Sequence, residues 1–318
     1  MHYDCLIVGA GPAGLSAAIK LKQLALAQGT EVSVCVLEKG AEVGAHILSG
    51  NVFEPRALEE LFPNFKDMED PPPLDTPVMD DKFLYLHGPE SSAISIPNIL
   101  LPSQLHNDGN YVISLNQLVR WMGAQAEELG VEVYPGFAAS EVLYDEDGSV
   151  KGIATRDAGI SKEGDIKGTF ARGMELRARQ TLFAEGARGS CSEEVQAKFD
   201  LRKDAQPQTF GLGIKEVWEI PEEKFKAGYV QHTLGWPLQN SLLDKTFGGS
   251  FLYHQKPNLV LIGFVVGLDY ENPYLNPYKE FQRWKTHPEI KTHLEGGSCI
   301  SYGARVLNEG ECGGKGDW

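Results

Sequence analysis

Apolar residues fill positions 5–8 without a break, recur at helical spacing as Leu15, Ala18, Ile19 and Leu24, and return at 32–37. The short run fits a buried parallel strand, the spaced set fits one helix face, and the second run fits another strand. The first forty residues therefore predict a β-α-β unit. Further on, 54–65 predicts a helix with Leu58, Leu61 and Phe62 on one face, and DPPPLDTP at 70–77 predicts a rigid connector. Residues 116–129 form an amphipathic pattern, with Leu118, Val119, Met122 and Ala126 inside, closed by Gly130. Runs at 131–134, 139–144 and 149–157 read as a meander around the DEDG turn, 158–168 as another hairpin tip, and 174–184 as a return to the sheet. Beyond 208, strands at 210–217, 229–234, 249–254 and 259–266 predict an antiparallel sheet, followed by a short helix at 278–285 stopped before Pro288. The expected fold class is α/β, with an α+β second part.

Composition narrows this. A chain of 318 residues exceeds one ordinary core, so two domains are expected, and 42% hydrophobic residues suffice to fill them. A net charge of -15 with no basic patch argues against a nucleic-acid partner. Five scattered cysteines without a CxxC pair argue against a disulfide scaffold or a zinc site and suit a reducing compartment. No charged-then-apolar leader precedes the first strand, so the expectation is a protein made without a targeting peptide, or one already trimmed. The histidines show no metal or catalytic spacing, and no side chain is nominated as catalytic.

The chemistry starts at Gly9-Ala10-Gly11-Pro12-Ala13-Gly14. Gly9 permits a tight turn, Gly11 lets backbone approach a pyrophosphate, and Gly14 allows close helix-strand packing, while the helix N-terminus faces the phosphates. Glu38, at the end of the second strand and followed by Lys39, is placed to accept hydrogen bonds from a ribose. The motif follows a strand, opens a helix and is answered by an acid at the right distance, which predicts dinucleotide binding in a Rossmann-like domain. Its N-terminal position and the Glu point to the ADP half of FAD. The loop AEVGAHILSG, with Ala45, His46, Ser49 and Gly50, offers the small residues that a flavin ring needs for close backbone approach. Glu185 and Gly186 end a strand that returns beneath the cofactor. Gly248 and Gly249 allow a planar ligand against bare backbone, or a β-bulge. The apolar, proline-broken SIPNILLP at 95–102 is too short to span a bilayer. It reads either as a loop dipping into a membrane interface or as a packed edge, and the residues alone favour the edge.

Taken together, GAGPAGLSAAIKLKQLA, VLEKGAEVGAHILSG, TLFAEGARGS, FGLGIKEVWE, GGSFLYH, EFQRWKTHP and YGARVLNEG resemble, in order and at similar spacing, the electron transfer flavoprotein-ubiquinone oxidoreductases. The likeness covers about residues 1–310. It implies an FAD-binding Rossmann-like domain, mainly 1–207, and an inserted antiparallel-sheet quinone domain, mainly 208–310. It also implies an enzyme that takes electrons from reduced electron transfer flavoprotein and passes them to ubiquinone, using FAD and a [4Fe-4S] cluster. Gly9 to Gly14, Glu38, Lys39, Ala45, His46, Ser49, Gly50, Glu185 and Gly186 would then hold FAD, and Gly248 and Gly249 would meet the quinone. An apolar segment at about 83–105 would seat the protein in one leaflet. The expected location is the cytoplasmic face of a bacterial inner membrane, with the matrix face of the mitochondrial one as the alternative. After Gly310 the chain departs from the family pattern. The expectation there is a truncated form with an aberrant tail at 311–318, incomplete at the C-terminus and without the iron-sulfur ligands. Two other functions stay open: an NAD(P)H-dependent FAD hydroxylase or reductase of the same fold, and a non-catalytic remnant.

Overall fold

The computed structural model describes residues 1–48, 50–89, 93–239 and 244–309. The chain divides into two compact units, one of 1–47, 61–63 and 116–206, the other of 48–60, 64–115 and 207–318. Segments 48–60 and 64–115 thus belong with the later part of the chain.

The first unit is built on a six-stranded sheet in the order Glu132–Pro135, Val34–Glu38, His2–Val8, Glu175–Phe183, Val150–Thr155, Ala139–Tyr144. The first four strands run parallel, and the last two form an antiparallel hairpin on their flank. Leu6, Ile7, Cys35 and Val36 are fully buried, as an apolar run in a parallel strand requires. Helix Pro12–Ala27 joins the first two strands, burying Leu15, Ala18 and Ile19. Helix Leu115–Glu128 buries the expected face, and Gly130 ends it with φ +80°. One expectation is corrected: the strand at 132–135 is not part of the meander. It pairs parallel with Val34–Glu38, because the helix before it makes a crossover connection that a hairpin cannot.

The second unit holds a seven-stranded sheet in the order Ser298–Glu309, Thr209–Glu219, Leu259–Gly267, Gly248–Gln255, Tyr229–Gly235, Asp80–Leu86, Ile94–Ile96. All pairs are antiparallel except Tyr229–Gly235 with Asp80–Leu86. One face packs Leu252, Ile262, Phe264 and Val266 against helices Pro277–Trp284 and Pro288–Leu294. Pro288 does stop the first helix, but it also starts the second from its first position, where a missing N–H costs nothing. The His287 side chain caps that helix by accepting from the Glu289 N–H at 3.2 Å. A buried ion pair pins the first helix to the sheet, with Lys285 Nζ 2.8 Å from Glu216 Oε2.

Candidate functional site

In the first unit the glycine turn is built as its spacing predicts. Gly9 has φ +108°, and a Cβ there would collide with the Ala184 carbonyl, so the end of the neighbouring strand lies against the turn. A Cβ on Gly14 would strike the Gly9 carbonyl oxygen. Gly11 differs from both: a Cβ there would meet nothing within 4 Å. Gly9 and Gly14 are thus demanded by the protein's own packing, whereas Gly11 borders open space at the helix N-terminus. Gly11 is the N-cap, no side chain caps the helix, and no acid stands in its first turn. The first-turn N–H groups, Ala13 and Gly14 among them, lack intrahelical acceptors, which makes this end an anion site.

Glu38 ties the turn to the next loop. Its Oε2 accepts from the Ala10 N–H at 3.1 Å and its Oε1 from the Gly40 N–H at 2.6 Å. A carboxylate has about four lone-pair positions, so capacity remains for ribose hydroxyls. A Cβ on Gly40 would lie 3.0 Å from Glu38 Oε1 and 3.3 Å from Ala45 Cβ, which brings Glu38 and Ala45 together. Lys39, Ala45 and His46 are exposed, and Ser49 lies outside the described residues. These features fit an adenosine diphosphate group: an open backbone cradle, an uncapped helix end and an acid with spare acceptors.

Glu185 has a local task that the sequence did not reveal. Its Oε2 accepts from both the N–H and the hydroxyl of Ser192, each at 2.7 Å, and its Oε1 from the Cys191 N–H at 3.4 Å. It therefore caps helix Ser190–Lys198. Gly186 follows at φ +84°, exposed.

In the second unit, Gly50 is buried with φ +109°, packed on Leu261. Its carbonyl accepts from Lys215 Nζ at 2.9 Å. Lys215 is half-buried and lies 5.5 Å from the centre of the Phe251 ring, and burial pulls its pKa below the ordinary lysine value. The sequence carried one hint of it, a cation amid the apolar strand FGLGIKEV. Gly248 has φ +155°, and a Cβ there would strike the Val265 carbonyl and Leu238. A Cβ on Gly249 would meet Leu234 Cδ2 at 2.9 Å. The space beside Gly248 is thus filled by the protein, while that beside Gly249 is bounded by the partly exposed Leu234 side chain and by the Thr233 carbonyl oxygen, 3.1 Å from such a Cβ.

The apolar segment joins an edge strand to exposed apolar side chains. Ile94–Ile96 pairs with Asp80–Leu86 as the sheet's edge strand, yet Ile99 is 89% and Leu100 73% exposed. His106 Nε2 contacts the carbonyls of Asn98, at 2.8 Å, and Leu101, holding the turn. No helix among the described residues is long and apolar enough to cross a membrane. Nor, among those residues, are three or more His, Cys, Asp or Glu side chains grouped to hold a metal ion.

Residues 7–74 match the family of NAD(P)-binding Rossmann-like domains, and 210–307 match the family described as ETF-QO, ubiquinone-binding. The mitochondrial electron transfer flavoprotein-ubiquinone oxidoreductase of Dictyostelium discoideum is 58% identical over 97% of this chain and 49% of its own length. The chain spans about half the length of the curated relatives it matches. Among solved structures, a geranylgeranyl bacteriochlorophyll reductase-like protein of Thermoplasma acidophilum superposes with a TM-score of 0.66 at 17% identity, over 96% of this chain and 66% of that one. A flavin-dependent brominase superposes with a TM-score of 0.60 at 16% identity, over 97% of this chain and 68% of that one. Both likenesses are of fold.

Proposed function

We infer from this likeness that the chain belongs to the family of electron transfer flavoprotein-ubiquinone oxidoreductases, that it binds FAD and that it serves electron transfer from reduced electron transfer flavoprotein to ubiquinone at a membrane surface. The observation that carries the FAD part is the contrast between Gly11, which borders open space, and Gly9 and Gly14, which are closed by the fold. An open backbone cradle at an uncapped helix end is what a pyrophosphate fits.

Bound flavin supplies the chemistry: it holds one or two electrons and so couples a one-electron donor to a two-electron acceptor. The residues bind and orient. The backbone N–H groups of Gly11, Ala13 and Gly14 take the pyrophosphate, and Glu38 takes the ribose while keeping its bonds to Ala10 and Gly40. Glu185 and Gly186 support the turn from the neighbouring strand. Lys39, Ala45 and His46 border the rest of the cofactor. Gly248 and Gly249 belong to the quinone side, where 210–307 match the ubiquinone-binding family. Ile99 and Leu100 enter the lipid interface as a monotopic attachment. An iron-sulfur cluster is assigned to no residue of this chain.

The test is binding of both ligands by one preparation. The protein takes up FAD and, in detergent micelles, also binds ubiquinone-1. Uptake of FAD together with rapid flavin reduction by NADPH and indifference to quinone would move the chain to the hydroxylases and reductases of this fold.

A further inference from the structure

The face of the seven-stranded sheet opposite helices Pro277–Trp284 and Pro288–Leu294 carries one register row across six strands: Lys215, Gly263, Phe251, His232, Phe83 and Ile96. Bare Gly263 lets the Phe251 ring lie across it, for a Cβ there would strike that ring. Phe251 stacks on Tyr253 with centroids 4.5 Å apart, and the Tyr253 hydroxyl lies 2.7 Å from His232 Nε2. His232 in turn stacks on Phe83. Leu234, two residues along from His232 and on the same face, is the side chain that borders Gly249. The imidazole and the glycine that the proposed function gives to the quinone therefore share one face of one sheet.

Which nitrogen of His232 carries the hydrogen depends on which group of its contact with Tyr253 donates. Tyr253 is buried and its hydroxyl meets His232 Nε2, so a phenol that donates there finds its acceptor in that nitrogen. That nitrogen then holds a lone pair, so a neutral ring carries its hydrogen on Nδ1. Burial keeps the ring neutral by lowering its pKa below 6.5, against an opposing pull from Asp81. Asp81 Oδ2 already accepts from the backbone N–H and side-chain amide of Asn107. Among the described residues the Nδ1–H of His232 meets no acceptor. A quinone has two para carbonyl oxygens, and a ring that meets backbone at Gly249 has a second oxygen to satisfy.

We propose that His232 presents its Nδ1–H to a carbonyl oxygen of the quinone ring, with Tyr253 as the positioning residue that fixes the tautomer. The assignment rests on the quinone reading of this domain. Because the donor belongs to a neutral ring, it recognises a carbonyl without adding a charge to an apolar site.

The chain labelled with 15N-histidine, in detergent micelles, is titrated with ubiquinone-1. The expected results are an Nδ1–H tautomer for His232 in the free protein and a displaced Nδ1 resonance when quinone is added. His232→Phe, which keeps the stack on Phe83, weakens ubiquinone-1 binding about tenfold, the loss of one hydrogen bond. His232→Gln restores part of it, because the amide accepts from Tyr253 and still donates. Tyr253→Phe releases the tautomer, and a mixture of both forms is seen. The exposed control His2→Gln changes nothing. An Nε2–H tautomer in the free protein, or unchanged affinity in His232→Phe while ubiquinone-1 still binds the parent chain, would overturn the assignment. Absence of ubiquinone-1 binding by the parent chain would overturn the quinone reading itself.

Discussion

Glu38 holds Ala10: the Ala10 N–H donates to Glu38 Oε2 at 3.1 Å, while the other carboxylate oxygen takes the Gly40 N–H at 2.6 Å. The acid predicted to bind ribose is therefore also a brace between the glycine turn and the loop after the second strand. Glu38→Gln keeps one acceptor oxygen and leaves a backbone N–H without its partner. The apo chain should lose ~1–2 kcal/mol by urea unfolding, in addition to weaker FAD uptake. An unchanged unfolding midpoint would mean that the brace contributes nothing.

The two glycines of the turn should separate in experiment. Gly14→Ala drives a Cβ into the Gly9 carbonyl and should cost about 3 kcal/mol or more. Gly11→Ala meets no atom and should unfold within about 1 kcal/mol of the parent, while FAD affinity falls at least about tenfold. Chemical denaturation and flavin titration of the two variants give the comparison. Full FAD retention in Gly11→Ala would refute the phosphate cradle.

Lys285 and Glu216 form a buried pair that also receives the Trp218 Nε1–H, at 2.7 Å from Glu216 Oε2. Glu216 is 7% exposed. Lys285→Met strands that carboxylate and should destabilise the chain by about 3–5 kcal/mol, whereas Lys285→Met combined with Glu216→Gln should recover a large part of the loss. Equal stabilities for the single and double variants would contradict this account.

His254 and His293 form a second buried contact, Nε2 to Nδ1 at 2.8 Å, behind the helix-covered face. Burial foremost, with nearby charge, lowers their pKa values from 6.5 to about 3 and about 4. The unfolded chain thus binds more protons than the folded one below pH 6.5. Stability is complete above that value and falls as pH drops towards 4, with a slope of up to ~1.4 kcal/mol per pH unit for each proton. His293→Gln keeps an acceptor for His254 and removes one titrating group, so its stability should fall less steeply between pH 6.5 and 4. Parallel curves for parent and variant, from urea unfolding at stepped pH, would show that the pair does not titrate on unfolding.

Ile99 and Leu100 are the most exposed apolar pair of the edge segment. Replacing both with Asp should leave thermal unfolding unchanged and weaken flotation with phospholipid vesicles by on the order of tenfold or more. Undiminished flotation would remove this segment from the membrane contact.

The parts legible in the sequence were those whose signal is local. Gly9 to Gly14 and Glu38 could be read because strand, turn and helix follow one another within a single β-α-β unit, and Leu118, Val119, Met122 and Ala126 because helical spacing declares its own inner face. What depended on distant pairing was hidden. Asp80–Leu86 follows a proline-rich connector and opens on charges, and its place beside Tyr229–Gly235 is set by the register of another part of the chain. His232 showed no spacing motif, since its partners come from neighbouring strands: Tyr253 by diagonal contact and Phe83 directly opposite. Glu185 was visible as an acid beside a glycine, but its helix-capping bonds to Cys191 and Ser192 were not.

The most direct test of the central claim is a stopped-flow experiment on the FAD-loaded chain in detergent micelles, reduced stoichiometrically and then mixed with ubiquinone-1. The account predicts reoxidation of the flavin with formation of one quinol per reduced FAD. A flavin that stays reduced in the presence of bound ubiquinone-1 would contradict it.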